Sequence, residues 1–138
     1  MDNLIFKVSK AYPKTSCKKM IKWFEDNKNL ADPGGAASYK LDNLEITINL
    51  NEFNFFNLVD SLGKCITKFK KKYPETDIHL QKWHLDANVQ LMKYEPNTHY
   101  HFVHCENDGP KGYPKRAFAW MIFLNNIKKG GGTKLSNL

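Results

Sequence analysis

Cysteine is scarce in this 138-residue chain: Cys17, Cys65 and Cys105 are odd in number and widely spaced. That argues against a disulfide framework and fits a reducing compartment better. No apolar run approaches the roughly eighteen residues that a membrane span needs, and no leader-like apolar block opens the chain. The expectation is a soluble protein without a membrane partner, cytoplasmic, or in a host cytoplasm if its source is viral. Arginine-rich density is also lacking. The net charge is +7, yet it comes from lysines spread along the chain. Such a surface favours polyanions in general without the clustering of a dedicated nucleic-acid binder, so a basic nucleic-acid-binding protein is the third reading. Internal repeats are absent.

What is present is enough apolar material for a core. Hydrophobic residues make up 41% and charged residues 25% of the chain, which is not a disordered composition. The length fits a single domain, 1–138. Leu4, Phe6 and Val8 suggest an edge strand before Pro13. Cys17, Met20, Ile21 and Phe24 recur at helical spacing and predict a helix near 16–29, with Thr15 or Ser16 as its cap. ADPGG at 31–35 reads as a turn. Leu44, Ile46 and Ile48 alternate with polar residues, as in a strand or an irregular loop. Asn51 is a candidate cap for a second helix, whose apolar face carries Phe55, Leu58, Val59, Leu62, Ile66 and Phe69. Gly63 weakens that helix without ending it. Lys64, Lys68, Lys70, Lys71 and Lys72 read as its solvated polar side. Ala87, Val89 and Leu91 predict a strand to Tyr94, and Glu95-Pro96-Asn97 a turn. Residues 116–127 form the most apolar run and read as a buried strand, followed by a Gly-rich turn at 128–135. Helices first and strands later suggest an α+β or mostly β fold.

The chemistry-bearing stretch is YEPNTHYHFVHCE, from Tyr94 to Glu106. His104 and Glu106 form an H-x-E pair, and side chains two apart on a strand share a face. One imidazole and one carboxylate can then meet a single ion. Two His and one carboxylate make the facial triad of non-haem Fe(II) oxygenases, so the pair supplies two of three ligands. His99 and His101 have the opposite parity to His104 and face away in a regular strand. A bend in the segment would let one of them serve as third ligand, and His84 is a weaker alternative. Cys105 is out of phase with its neighbours. Cys17 and Cys65 lack zinc-ligand spacing.

Residues 88–134 resemble the prolyl-4-hydroxylase-like branch of the Fe(II)/2-oxoglutarate-dependent oxygenases, especially the small versions of phages and marine microbes. The matching features are Tyr94, Pro96-Asn97, Tyr100, His104-x-Glu106, Arg116, Leu124-Asn125 and the glycine turn ending at Thr133. The resemblance implies a partial double-stranded β-helix, a type of jelly roll, with 1–86 as helical N-terminal support and 87–138 as its first part. It implies His104 and Glu106 as iron ligands, Tyr94, Tyr100 and Arg116 at the 2-oxoglutarate pocket, and ascorbate as a further cofactor. The implied activity is hydroxylation of a prolyl, other peptide or small-molecule substrate.

Two departures accompany it. Asn97 stands where the family has a turn glycine; Asn tolerates left-handed geometry better than most residues. The family's distal histidine and basic residue have no counterpart before Leu138. The expectation is a truncated chain with the distal strands missing, since a closed jelly roll needs about eight strands. An exposed sheet edge along 116–127 would then invite self-association or a complementing chain. The alternative to the hydroxylase is therefore an inactive remnant or interaction module that binds through that edge.

Overall fold

The computed structural model describes residues 5–36, 39–50, 57–76, 84–100, 104 and 118–134, with the course of the chain alone at 35–36 and 39–42. Helix α1 spans Lys14–Asp26 and helix α2 Leu58–Lys72. Strands β1 (Asp32–Ala36), β2 (Tyr39–Asn49) and β3 (Asn88–Tyr94) form an antiparallel sheet in the order β1-β2-β3.

Pro13, and not Thr15 or Ser16, stands at the start of α1. Its carbonyl accepts the Cys17 N–H at 2.9 Å, and no side chain caps the helix. Proline has a fixed φ and lacks an N–H that a helix start would leave unsatisfied anyway. Cys17, Met20 and Phe24 are buried on one stripe. The stripe ends where Asn27 donates its backbone N–H to Trp23 and Phe24 and its side-chain amide to Trp23.

The segment read as a turn at 31–35 is an edge strand. The register between β1 and β2 shifts between Pro33 and Gly35, and a bulge at an edge tolerates both residues. Gly34 is required by its neighbour. A Cβ there would collide with the buried carboxamide of Asn43.

Ile46 and Ile48 of β2 lie opposite Leu91 and Val89 of β3. They share one sheet face, which the two helices cover. The core joins Met20 and Phe24 of α1, Leu58 and Leu62 of α2, Ile46, Ile48 and Leu91. The Lys93 ammonium adds a polar tie from β3 to α1, lying 3.0 Å from Glu25 and 3.0 Å from Glu95. Lys28 and then Lys93 hold the Glu25 carboxyl below its usual range.

Gly63 does not interrupt α2. It is exposed and a Cβ would meet nothing within 4 Å. Gly63→Ala is expected to stabilise the protein by about 0.5–1 kcal/mol, because glycine loses more backbone freedom on helix formation. A urea midpoint that does not rise would contradict this.

Several expectations are corrected here. The described residues form two helices and an open three-stranded sheet. A jelly roll packs about eight strands into two closed sheets, so the double-stranded β-helix assignment fails. Residues 5–8 join no strand. Val59 faces outward, 54% exposed. Residues 118–127 run without regular strand pairing among the described residues and are not buried. Leu4, Asn51 and Phe55 lie outside the described residues. No helix among the described residues is long and apolar enough to cross a membrane.

Burial also gives the core a pH limit. Tyr12 is buried, and its phenol is pushed above its ordinary 10.0, chiefly by burial and secondarily by Cys17. Burial raises the Cys17 thiol above its ordinary 9.0 as well. A raised pKa means that the folded state keeps the proton longer. Their contribution is therefore complete below about pH 9 and declines as pH rises through the unfolded and then the folded values. Tyr12→Phe is expected to flatten the decline of the urea midpoint above about pH 10. An unchanged slope would exclude Tyr12 as its source.

Candidate functional site

The turn after β3 opens the sequence motif, of which residues 94–100 and 104 are described. Thr98 donates its N–H (3.1 Å) and its hydroxyl (2.8 Å) to the Glu95 carbonyl. Asn97 has a φ of +67°, the left-handed geometry that the third position of a type II turn demands after a proline. The expectation for Asn97 at this turn is met. Beyond it, the Tyr100 and His104 rings approach with centroids 4.8 Å apart, tilted by 40°. His104 is exposed and Tyr100 half-buried. Tyr94 ends β3, and its hydroxyl lies 3.8 Å from the Met92 sulfur. Burial, and then the Glu45 carboxylate, raise its pKa. Glu106, Arg116, His101 and Cys105 lie outside the described residues.

This arrangement does not support an iron site. Among the described residues, no group of three His, Cys, Asp or Glu side chains could hold a metal ion. A facial triad needs three ligands converging on one point; of the two predicted ligands, His104 has its ring beside Tyr100 and Glu106 lies outside the described residues. Among the described residues the sheet is open and supplies no closed barrel around such a site. The Fe(II)/2-oxoglutarate oxygenase assignment is overturned with its iron, 2-oxoglutarate and ascorbate cofactors and its hydroxylase activity.

The chain matches no family model, no curated protein and no solved structure. The resemblance over 88–134 thus has no support from comparison with known proteins.

The feature that the structure does build is an open sheet edge. The Leu50 N–H donates to the Ala87 carbonyl at 2.7 Å, extending the register in which Ile48 faces Val89 and Ile46 faces Leu91. Hydrogen-bonded and non-hydrogen-bonded pairs alternate along an antiparallel ladder. Val89, Leu91 and Lys93 therefore direct their backbone groups to β2, while Asn88, Gln90, Met92 and Tyr94 direct theirs outward. The Asp86 carboxylate accepts the outward Asn88 N–H at 3.0 Å. Gln90 and Met92 present theirs to an edge that carries no further strand among the described residues.

The two edges of the sheet differ. β1 has Pro33, two glycines and a register shift, devices that discourage strand addition. β3 has no proline, glycine or bulge, and Lys93 is its one charge.

A second exposed apolar feature is the run 118–127. In 118–127, Ile122 and Leu124 pack against the core. Between and beyond them, Met121 and Phe123 are each 64% exposed and Ile127 54%. Phe118 meets Phe69 of α2 edge-on, with centroids 4.9 Å apart. The run is apolar on both sides, as a central strand is, but among the described residues Ile122 and Leu124 are half-buried while Met121 and Phe123 are exposed.

Proposed function

We propose that this chain acts by binding, as an interaction module that pairs with a second copy of itself through the outward edge of β3. The observation that carries this reading is the unblunted row of backbone groups at Gln90 and Met92, opposite the edge that proline, glycine and a bulge protect. Antiparallel β3-to-β3 pairing about a two-fold axis satisfies that row in both copies with the same residues. A single ladder buries less than the ~800 Å² per partner of a stable interface. The exposed Met121, Phe123 and Ile127 supply further apolar surface, of the kind that marks interaction sites. A second copy fits this chemistry because one chain carries both an edge able to pair with itself and apolar side chains in need of cover.

Sedimentation velocity tests this reading. Each copy carries +7, so like-charge repulsion opposes pairing and salt screens it. A monomer-dimer equilibrium that strengthens from low to moderate salt is expected. A chain that stays monomeric at every concentration and salt level would contradict the proposal.

A further inference from the structure

We infer that the cleft between the loop before α1 and the polar side of α2 is a binding site for phosphate-bearing anions. The cleft is open, of about 310 Å³, and is lined by Lys10, Lys64 and Lys68 with Ser9, Ser61 and Cys65 among their neighbours. Among the described residues, no acid lines it. The ion pairs among the described residues engage Lys22, Lys28 and Lys93, none of the three in the cleft. Three lysines from two separate segments thus line one concavity, with no carboxylate among its described lining residues. A walled cleft of one sign concentrates counter-ions.

Two further features fit an anion. Pro13 also lines the cleft, at the start of the 13-residue helix α1. That helix start has neither a side-chain cap nor an acid in its first turn, and the first N–H groups of a helix carry partial positive charge. Lys10 itself is held at a φ of +56°, a conformation that non-glycine residues rarely adopt.

The site also has a direction. Lys64, Lys68 and Lys72 follow one another at four-residue steps, a row of roughly 12 Å at the helical rise. Such a row can follow successive phosphates. Lys72 lies 5.8 Å from the Phe6 ring centroid and 5.0 Å from that of Tyr73, placing aromatic surface at the end of the row. The shared ligand chemistry is a chain of phosphates, from a free polyphosphate or from a single-stranded nucleic acid whose bases use those rings.

The test is titration of the full chain with inorganic tripolyphosphate and, separately, with a short oligothymidylate, followed by amide chemical shifts at low and high salt. Shifts centred on Ser9, Lys10, Lys64 and Lys68 that weaken with salt are expected. The Lys64→Glu, Lys68→Glu double variant should lose roughly tenfold or more in affinity, because it reverses two of the cleft charges. A charge-matched Lys128→Glu, Lys129→Glu control should lose much less. Lys10→Gln, outside any helix, provides a milder second variant, and circular dichroism checks that each is folded. Binding of tripolyphosphate alone identifies a free-phosphate source, and binding of the oligonucleotide alone or more tightly identifies a nucleic-acid backbone. Either supports the site. No binding of either ligand at low salt, or equal losses in cleft and control variants, would overturn it. Neither result depends on whether the chain dimerises.

Discussion

Gln90→Pro is expected to weaken dimerisation at least roughly tenfold while leaving the fold in place. Proline removes one backbone donor and bars strand addition where that donor faces outward. The alternation fixed by the Leu50–Ala87 hydrogen bond directs the Gln90 N–H away from β2. The β2–β3 ladder therefore keeps its bonds. The comparison that gives the result meaning is Val89→Pro, which removes a donor from the ladder itself and should destabilise the monomer. Sedimentation velocity reads association, and circular dichroism with urea reads folding. Phe123→Asp probes the second part of the surface, since Phe123 is 64% exposed and its replacement removes apolar area without touching the sheet. If Gln90→Pro associates as the parent does, β3 is not the edge that pairs.

Ile48→Ala is expected to cost about 2–5 kcal/mol, through lost burial and the cavity left behind. Ile48 is 2% exposed and lies in β2, opposite Val89. Both helices close over this side of the sheet. Against a total stability of about 5–15 kcal/mol for a domain, this single change unfolds a large share of the molecules at elevated temperature. Val59→Ala is the paired control. Val59 belongs to the neighbouring helix but is 54% exposed, and surface changes of this kind stay within about 0.5 kcal/mol. Equal effects at the two positions in urea melts would refute the placement of the core.

The elements with a single clear periodicity were legible in the sequence. Cys17, Met20 and Phe24 identify α1, and Leu58, Leu62 and Phe69 identify the buried stripe of α2. Val89 and Leu91 identify the inward face of β3. Boundaries were less legible, because Thr15 and Ser16 have good capping chemistry whereas Pro13 makes the helix start by its fixed geometry. Asp-Pro-Gly-Gly has turn composition, yet a neighbouring strand accepts it as a bulged edge. The fit of Gly34 against Asn43 depends on a contact between two strands and leaves no local signal.

Residues 118–127 show the limit more sharply. Apolar side chains on both faces predict a central strand, but the number of layers covering them is a property of the whole chain. The structure covers Ile122 and Leu124 and leaves Met121 and Phe123 exposed. The apolar run predicts an exposed edge at 116–127, whereas among the described residues the regular open edge is β3. The His-x-Glu spacing likewise encodes shared orientation on a strand, not the convergence of three ligands. Lysines 64 and 68 read as a solvated helix side, and only the fold brings Lys10 across from them.

Pairing of β3 through its outward backbone groups has a direct signature. Amide hydrogen exchange at Gln90 and Met92, followed at concentrations below and above the association midpoint, tests it most directly. Rapid exchange is expected in the monomer and marked slowing of these two amides on association, with Val89 and Leu91 protected throughout. Rapid exchange at Gln90 and Met92 in a sample that sedimentation shows to be dimeric would contradict it.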